Sequence, residues 1–258
     1  MRGKPLGICI STLLAEKLSV GHNNFILKNE GGCFTSAYSA VKEVEFMTEI
    51  YIVRHGETEG NQVMEFNGQH NTMLTETGYK QAELLGEYFK DKRVDSVYSS
   101  DLTRAYETAQ PLSNIHNKTV IMDERLREIN GGDWQGVKFT DLEDLYPVEY
   151  KVWLYDLGAA KCPGGESVKD VGERAFACLK EIAEENQGKS VVVVSHATPI
   201  RALITIISDG DISEIKNHSW LPNASVSKII YKNGSFRVEY AGETSHLQNL
   251  ITVLPDNC

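Results

Sequence analysis

The sequence has little of what marks a membrane-spanning or nucleic-acid-binding protein. Its 258 residues contain no apolar run long enough to cross a bilayer. Basic side chains are in deficit, with 26 Lys and Arg against 36 Asp and Glu, which gives a net charge of −10. This balance argues against nucleic acid or an anionic membrane as a partner. Internal repeats and low-complexity segments are also lacking, while 41% hydrophobic residues can form the core of one or two domains.

Cysteine is scarce and its pattern excludes the usual structural roles. The five cysteines are an odd number, and no CxxC or Cys/His metal spacing occurs among them; they are Cys9, Cys33, Cys162, Cys178 and Cys258. We interpret them as reduced thiols, which are typical of a cytoplasmic protein.

The first 46 residues lack the regular pattern of the rest. The run ICISTLLA is short, contains Ser and Thr, and has no A-x-A cleavage site, so it makes a poor signal peptide. Residues 20–46 show no sustained periodicity, which predicts a poorly ordered extension before a domain at 47–258.

From Met47 onward, strand and helix patterns alternate. The predicted strands lie at 48–54, 94–100, 119–122 and 190–196, and the predicted helices at 74–92, 101–112, near 140–147, at 166–187 and at 197–207. Thr75 is the expected N-cap of the first helix, and Ser100 or Asp101 that of the second. Asn233-Gly234 between two strand-like runs predicts a hairpin. The alternation predicts an α/β fold, a three-layer α/β/α arrangement with a mostly parallel mixed central sheet.

Two of these strands end in a histidine. His55 follows the first strand in YIVRHGETEGN, and His196 ends the run SVVVVSH. Ligand sites in open α/β sheets lie beyond the carboxyl ends of the strands, although a lone histidine is more often structural. Arg54, and Arg104 at the start of a helix, can converge on the same pocket. Guanidinium groups and helix N-termini suit a phosphate dianion.

Five sequence blocks resemble the histidine phosphatase superfamily, in its phosphoglycerate-mutase-like branch. In chain order they are RHGETEGN (54–61), SSDLTRAYETA (99–109), LREINGGDWQG (126–136), PGGES (163–167) and VVVSHATPIRALI (192–204). The likeness spans roughly residues 48–250. It implies a single α/β domain in which a histidine is transiently phosphorylated, without a metal or another cofactor.

The resemblance also implies roles for individual residues. His55 would be the nucleophile, Arg54 and Arg104 would clamp the phosphoryl group, and His196 would complete the pocket. Glu128 would protonate the leaving oxygen and later activate water. The substrate-binding positions would be Asn61, Asn67, Gly68 and Ala197, where Asn67-Gly68 replaces the Ser/Thr-Gly or Gln-Gly pair of the family.

Some positions admit a second interpretation. Glu124 is a rival proton donor, although the spacing within LREIN and GDWQG favours Glu128. His246 has a counterpart in many relatives and equally fits a structural role. The remaining histidines are interpreted as surface or packing residues, and the tryptophans as core or lid packing; they are His22, His70, His116 and His218, and Trp134, Trp153 and Trp220.

The superfamily contains hydrolases and mutases, and the sequence favours a hydrolase. The chain from Met47 onward is compact for a mutase, and both LREINGGDWQG and PGGES resemble phosphatase members. We expect a phosphatase of a small phosphorylated metabolite. A phosphoglycerate mutase and a catalytically silent phospho-ligand-binding protein are the alternatives. The identity of the substrate and the choice between monomer and homodimer stay open, and residues 134–165 and 218–223 are expected to cover the pocket.

We expect Met47 to be the native initiator. The segment KEVEFM, which ends at Met47, can be encoded by a purine-rich ribosome-binding sequence followed by a start codon. The preceding residues would then be over-translated upstream sequence. Amino-terminal sequencing of protein made from the native locus checks this hypothesis, and a natural chain that begins at Met1 would contradict it.

Overall fold

A six-stranded mixed sheet forms the centre of the computed structural model, which describes residues 47–252. Its strands are β1 Met47–Arg54, β2 Ser96–Ser99, β3 Val120–Met122, β4 Ser190–Ser195, β5 Val226–Lys232 and β6 Ser235–Glu243. They lie in the order β3-β2-β4-β1-β5-β6. Strands β3, β2, β4 and β1 are parallel to one another, β5 is antiparallel to β1, and β6 is antiparallel to β5. The predicted α/β fold with a mostly parallel sheet is confirmed.

The helices connect the parallel strands and cover both faces of the sheet. They are α1 Glu59–Gln62, α2 Glu76–Phe89, α3 Thr103–Ile115, α4 Phe139–Leu145, α5 Pro147–Tyr155, α6 Val168–Glu185 and α7 Ala197–Asp209. No helix within residues 47–252 is long and apolar enough to span a membrane. The predicted extension at 1–46, with His22 and the first two cysteines, lies outside the described residues, as does Cys258.

Alternate side chains of the central strands enter two separate core layers. Ile50 and Ile52 of β1 pack with side chains of α6 and α7. Tyr51 and Val53, which point to the other face, pack with side chains of α2 and α3. The run Val191–Val194 of β4 is fully buried and divides between the same two layers. Burial on both faces explains why this strand is a continuous β-branched run.

The pairing of β1 with β4 places the two histidines side by side. Arg54 pairs with Ser195 at the last position of the ladder, and the backbone N–H of His55 donates to the carbonyl of Ser195 at 3.0 Å. His196 therefore follows its strand at the same level as His55. The register of two parallel strands thus sets the distance between the residues from which the pocket is built.

One helix start and one helix differ from the prediction. Thr75 caps α2 as predicted, but α3 begins at Thr103 after Leu102, which provides no side-chain cap. The Ser100 hydroxyl instead accepts from the backbone of Leu102 at 3.3 Å, and the Asp101 carboxylate is bound by Arg127 at 2.7 Å. Helix α5 was not predicted, because its buried side chains, Tyr150 and Trp153, form no continuous apolar stripe along the sequence.

The predicted hairpin joins β5 and β6. Asn233 and Gly234 both have positive φ angles, 52° and 79°, as a two-residue turn with the right-handed twist of the strands requires. This edge of the sheet lies on the opposite side of β1 from β4, so the hairpin completes the sheet beyond the strand that carries His55.

Gly56 fits because the chain after His55 lies directly against α2. A Cβ atom at Gly56 would lie 2.7 Å from the carbonyl oxygen of Gly78, and one at Gly78 would lie 2.1 Å from the carbonyl oxygen of Glu57. Both distances are too short for a side chain. The two glycines therefore allow the loop after β1 to pack on the first turn of α2.

Candidate active site

A pocket with about 460 Å³ of empty space, counted to its open mouth, lies at the carboxyl ends of β1 and β4. Eight of the nine predicted site residues line it: Arg54, His55, Asn61, Asn67, Gly68, Arg104, Glu128 and Ala197. The ninth, His196, lies beneath, with its ring centroid 5.0 Å from that of His55. The ends of the strands thus bring together residues that lie between Arg54 and Ala197 in the sequence.

His55 is held in one orientation by its own backbone. Its Nδ1 is 2.7 Å from the carbonyl oxygen of Gly56, so Nδ1–H donates and Nε2 carries the free lone pair. The ring is buried, with 3% of the residue exposed. Burial, and then the positive charges of Arg104 and Arg54, hold the pKa of His55 well below its usual value. The imidazole is therefore neutral at pH 7 and can act as a nucleophile.

His196 is completely buried, and neither of its ring nitrogens has a hydrogen-bond partner within residues 47–252. Burial, followed by the charge of Arg104, lowers the pKa of its imidazole well below the usual value. Buried polar atoms are nearly always paired in native proteins. The two unsatisfied nitrogens next to the pocket are therefore suited to a polar ligand.

Arg54 and Arg104 are buried cations that form no ion pair within the described part of the chain. Arg104 donates from Nη1 to the carbonyl of His70 at 2.7 Å and from Nη2 to that of Gly68 at 2.8 Å. Arg54 donates from Nη1 to the carbonyl of Leu221. Burial lowers the pKa of both guanidinium groups to about 10, so both stay charged at neutral pH. Two buried charges without a bound carboxylate favour an anion in the pocket.

Glu128 contributes a buried carboxylate to the pocket and is 8% exposed. Its Oε1 accepts from the backbone N–H of Ile129 at 2.8 Å and from that of Thr198 at 3.2 Å. The rival Glu124 lies in a short 3₁₀-helix, where its side chain is 75% exposed and pairs with Arg127 at 3.3 Å. Position therefore favours Glu128 as the acid of this site.

A partly buried ion pair supports the Glu128 loop. Arg174 of α6 binds Glu166 through Nε and Nη2 at 2.8 and 2.9 Å, and its Nη2 also donates to the carbonyl of Glu128 at 2.9 Å. Glu166 accepts from the backbone N–H of Asn130 at 2.7 Å. The sequence analysis missed both roles. Glu166 lies within PGGES, but no local pattern connects that block to the loop.

The sequence analysis also missed Asn223, which connects His55 to Asn61. Its Nδ2 donates to the carbonyl of His55 at 3.1 Å and lies 3.2 Å from Oδ1 of Asn61. Its backbone N–H donates to the carbonyl of Thr252 at 3.0 Å. Near this contact, Gln81 binds both the carbonyl of Leu250 at 2.7 Å and the backbone N–H of Glu57 at 2.8 Å.

The predicted substrate-binding positions have distinct contacts. Oδ1 of Asn61 accepts from the backbone N–H of Thr58 at 3.1 Å, which leaves the amide nitrogen of Asn61 as its free end toward the pocket. Nδ2 of Asn67 lies 3.4 Å from the Thr58 hydroxyl. Gly68 has a φ of +51° and acts through its carbonyl, which Arg104 binds. Ala197 is the first residue of α7, where backbone N–H groups favour anions.

Two further residues lie away from the pocket. His246 has its Nε2 3.1 Å from the carbonyl of Ala224 and its ring 4.8 Å from that of Tyr88, so its contacts are structural. Cys162 is fully buried rather than at the mouth, and burial raises the pKa of its thiol to about 12.

Four aromatic side chains form one part of the pocket lining, called here the aromatic wall. It contains Phe66, Phe139, Trp153 and Trp220, the last two stacked with centroids 6.2 Å apart and planes at 19°. Phe139 and Trp153 belong to the segment 134–165, and Trp220 belongs to 218–223. Both segments that were expected to cover the pocket contribute to its wall, whereas Trp134 is a core residue.

Comparisons with known proteins agree with this geometry. The profile of the histidine phosphatase superfamily (branch 1) matches residues 50–244. Phosphoserine phosphatase 1 of Hydrogenobacter thermophilus is 34% identical over 183 residues, 71% of this chain and 86% of that protein. The probable phosphoglycerate mutase GpmB of Yersinia pestis is 31% identical over 209 residues, 78% of this chain and 95% of that protein.

Solved structures also resemble the fold. A mycobacterial glucosyl-3-phosphoglycerate phosphatase, determined as a complex with VO3, matches with a TM-score of 0.70 and 28% sequence identity. The match covers 76% of this chain and 99% of that one. The fold is therefore shared over nearly the full length of the solved phosphatase.

The buried histidines make stability depend on pH. His55 and His196 are neutral in the folded protein because their pKa values are lowered, while in the unfolded chain they bind a proton near pH 6.5. The unfolded state thus binds more protons as the pH falls below about 6.5, and the free energy of unfolding falls by up to about 1.4 kcal/mol per pH unit for each histidine. Urea denaturation between about pH 7.5 and pH 5 measures this slope.

His55→Asn is the matched variant for this measurement. It removes one of the two buried imidazoles, so its slope below about pH 6.5 is expected to be smaller than that of the wild type by about 1.4 kcal/mol per pH unit. Equal slopes for the two proteins would contradict a neutral, buried His55.

Proposed function

The chain belongs to branch 1 of the histidine phosphatase superfamily, and on that premise we propose that it hydrolyses a small phosphomonoester through a phosphohistidine on His55. The protein is a phosphoric monoester hydrolase. One observation carries the mechanism: two neutral imidazoles, two guanidinium groups and one carboxylate, all buried, meet at one pocket. These are His55 and His196, Arg54 and Arg104, and Glu128.

The first step transfers the phosphoryl group to the enzyme. Nε2 of His55 attacks phosphorus with its lone pair, a P–N bond forms, and the P–O bond to the substrate alcohol breaks. The Glu128 carboxyl group gives its proton to the leaving oxygen, which departs as a neutral alcohol. Charge on the transferring group is met by the two arginines and by an N–H of His196, positioned before the reaction.

The second step returns the enzyme to its starting state. A water molecule loses a proton to the Glu128 carboxylate and attacks phosphorus, the P–N bond breaks, and its electron pair returns to Nε2 of His55. Inorganic phosphate leaves, and Glu128 again carries the proton for the next cycle. The cycle uses side chains of this chain alone, and we propose no metal or other cofactor.

We assign this activity to residues 47–258 and to the cytoplasm. The substrate is a small phosphorylated metabolite, because the same pocket that contains the two arginines is also lined by aromatic rings and has about 460 Å³ of empty space. Buried, free Cys162 and Cys178 are consistent with a reducing compartment.

A mutase is the second candidate because one relative is named a probable phosphoglycerate mutase. A phosphoglycerate carries a carboxylate as well as a phosphate, and its recognition favours an additional cation. Among the described residues that line the pocket, Arg54 and Arg104 are the only Lys or Arg side chains. Hydrolysis is therefore favoured, and 2,3-bisphosphoglycerate-dependent interconversion of phosphoglycerates would overturn this choice.

Removing the nucleophile is expected to abolish turnover. The wild type should release phosphate from p-nitrophenyl phosphate at mildly acidic pH in the presence of EDTA, whereas His55→Ala should be slower by at least about a thousandfold in kcat. Circular dichroism provides the folding control. A silent wild type would favour the binding-protein alternative, and full turnover by His55→Ala would refute the phosphohistidine.

The role of Glu128 is expected to depend on the leaving group. For an alkyl phosphate such as glycerol phosphate, Glu128→Gln should lower kcat/KM by about 10²–10⁴-fold, because an alkoxide needs the proton. For p-nitrophenyl phosphate, whose leaving group is stable as an anion, the loss in kcat/KM should be much smaller. Glu124→Gln is the matched control and should leave both values near those of the wild type; equal losses with both substrates would contradict proton donation by Glu128.

A further inference from the structure

Glu65 adds a second carboxylate, besides that of Glu128, to the lining of the pocket. It lines the pocket together with the aromatic wall of Phe66, Phe139, Trp153 and Trp220. Its carboxylate has no hydrogen bond or ion pair with any residue in the range 47–252. The mechanism above does not use it. An acidic group among aromatic rings, with no partner of its own, is suited to a positively charged ligand group.

Arg54 and Arg104 are the only Lys or Arg side chains among the described residues that line the pocket. Arg54 and Arg104 belong to the phosphate-binding end, where they flank His55. Arg201 and Lys216 line a neighbouring cavity that shares with the pocket only the stacked pair Trp153 and Trp220. The centre of the Arg201 guanidinium group lies 4.3 Å from the Trp220 ring centroid. Apart from Arg54 and Arg104, no Lys or Arg among the described residues lines the pocket to bind a second anionic group, whereas Glu65 does line it.

We propose that Glu65 is a specificity-determining residue that selects phosphomonoesters of amino alcohols, in which the alcohol carries a positively charged nitrogen. The phosphate lies against the arginines, and the nitrogen lies between the Glu65 carboxylate and the aromatic rings. A carboxylate attracts an ammonium group, and aromatic faces bind cations through their quadrupole. The same carboxylate repels substrates that carry a second acid group. This inference rests on the proposed phosphatase function.

The test compares substrates of similar size and different charge. Phosphoethanolamine carries an ammonium group, glycerol phosphate is neutral beyond its phosphate, and 3-phosphoglycerate carries a carboxylate; L-phosphoserine, with both groups, is expected between the extremes. In the wild type, kcat/KM should be at least about tenfold higher for phosphoethanolamine than for glycerol phosphate, and lowest for 3-phosphoglycerate.

Glu65→Gln removes the charge and keeps the shape. It should lower kcat/KM for phosphoethanolamine by about tenfold, raise it several-fold for 3-phosphoglycerate, and leave glycerol phosphate within about twofold. Glu59→Gln is the matched control, since Glu59 is an exposed residue of the same segment that does not line the pocket. It removes one negative charge from the protein and should leave the order of substrates unchanged.

The outcomes separate the two proposals. Hydrolysis of glycerol phosphate without preference for phosphoethanolamine, or equal effects of Glu65→Gln and Glu59→Gln, would overturn the role of Glu65 and leave the phosphatase function standing. Absence of turnover with all of these substrates and with p-nitrophenyl phosphate would instead overturn the proposed function itself.

Discussion

The burial of two guanidinium groups with no carboxylate bound to either is the constraint on which the site depends. Arg54 and Arg104 stay charged in a place where charge is unfavourable, and backbone carbonyls satisfy only part of their hydrogen-bonding capacity. Burial first, and then the same charges, hold the pKa values of the neighbouring His55 and His196 well below their usual value. The burial of these four side chains together therefore suits both the binding of an anion and an unprotonated imidazole.

The sheet fixes this arrangement, and the loops refine it. The parallel pairing of β1 with β4 places the histidines. Glu128 lies outside the strands, on a loop between the short 3₁₀-helices Glu124–Leu126 and Gly132–Trp134. That loop takes its shape from the pair formed by Arg174 and Glu166. The loop is also joined to the end of β4 and the start of α7, because Ser195 Oγ donates to the carbonyl of Leu126 at 2.7 Å and the backbone N–H of Thr198 donates to Glu128 at 3.2 Å.

Much of the fold, and the meeting of His55 and His196 with Arg54 and Arg104 at one pocket, could be predicted from the sequence. His55 and His196 lie in short blocks directly after strands, and strands of β-branched residues are visible in the chain. Side chains that support the site could not be predicted in this way. Asn223 contacts the His55 carbonyl from 168 positions away. Glu65 can be assigned a role only because the fold places it in one pocket with Phe139, Trp153 and Trp220. Such contacts have no local periodicity or spacing.

The hydrogen bonds of Asn223 also bear on how the protein is handled in the laboratory. The carbonyl of Thr252 receives the backbone N–H of Asn223, and the side chain of Asn223 reaches the carbonyl of His55. Leu250 is bound in the same region by Gln81. Thr252, the last described residue, is therefore two hydrogen bonds from His55. A truncation that removed Thr252 would remove the acceptor of the Asn223 backbone N–H.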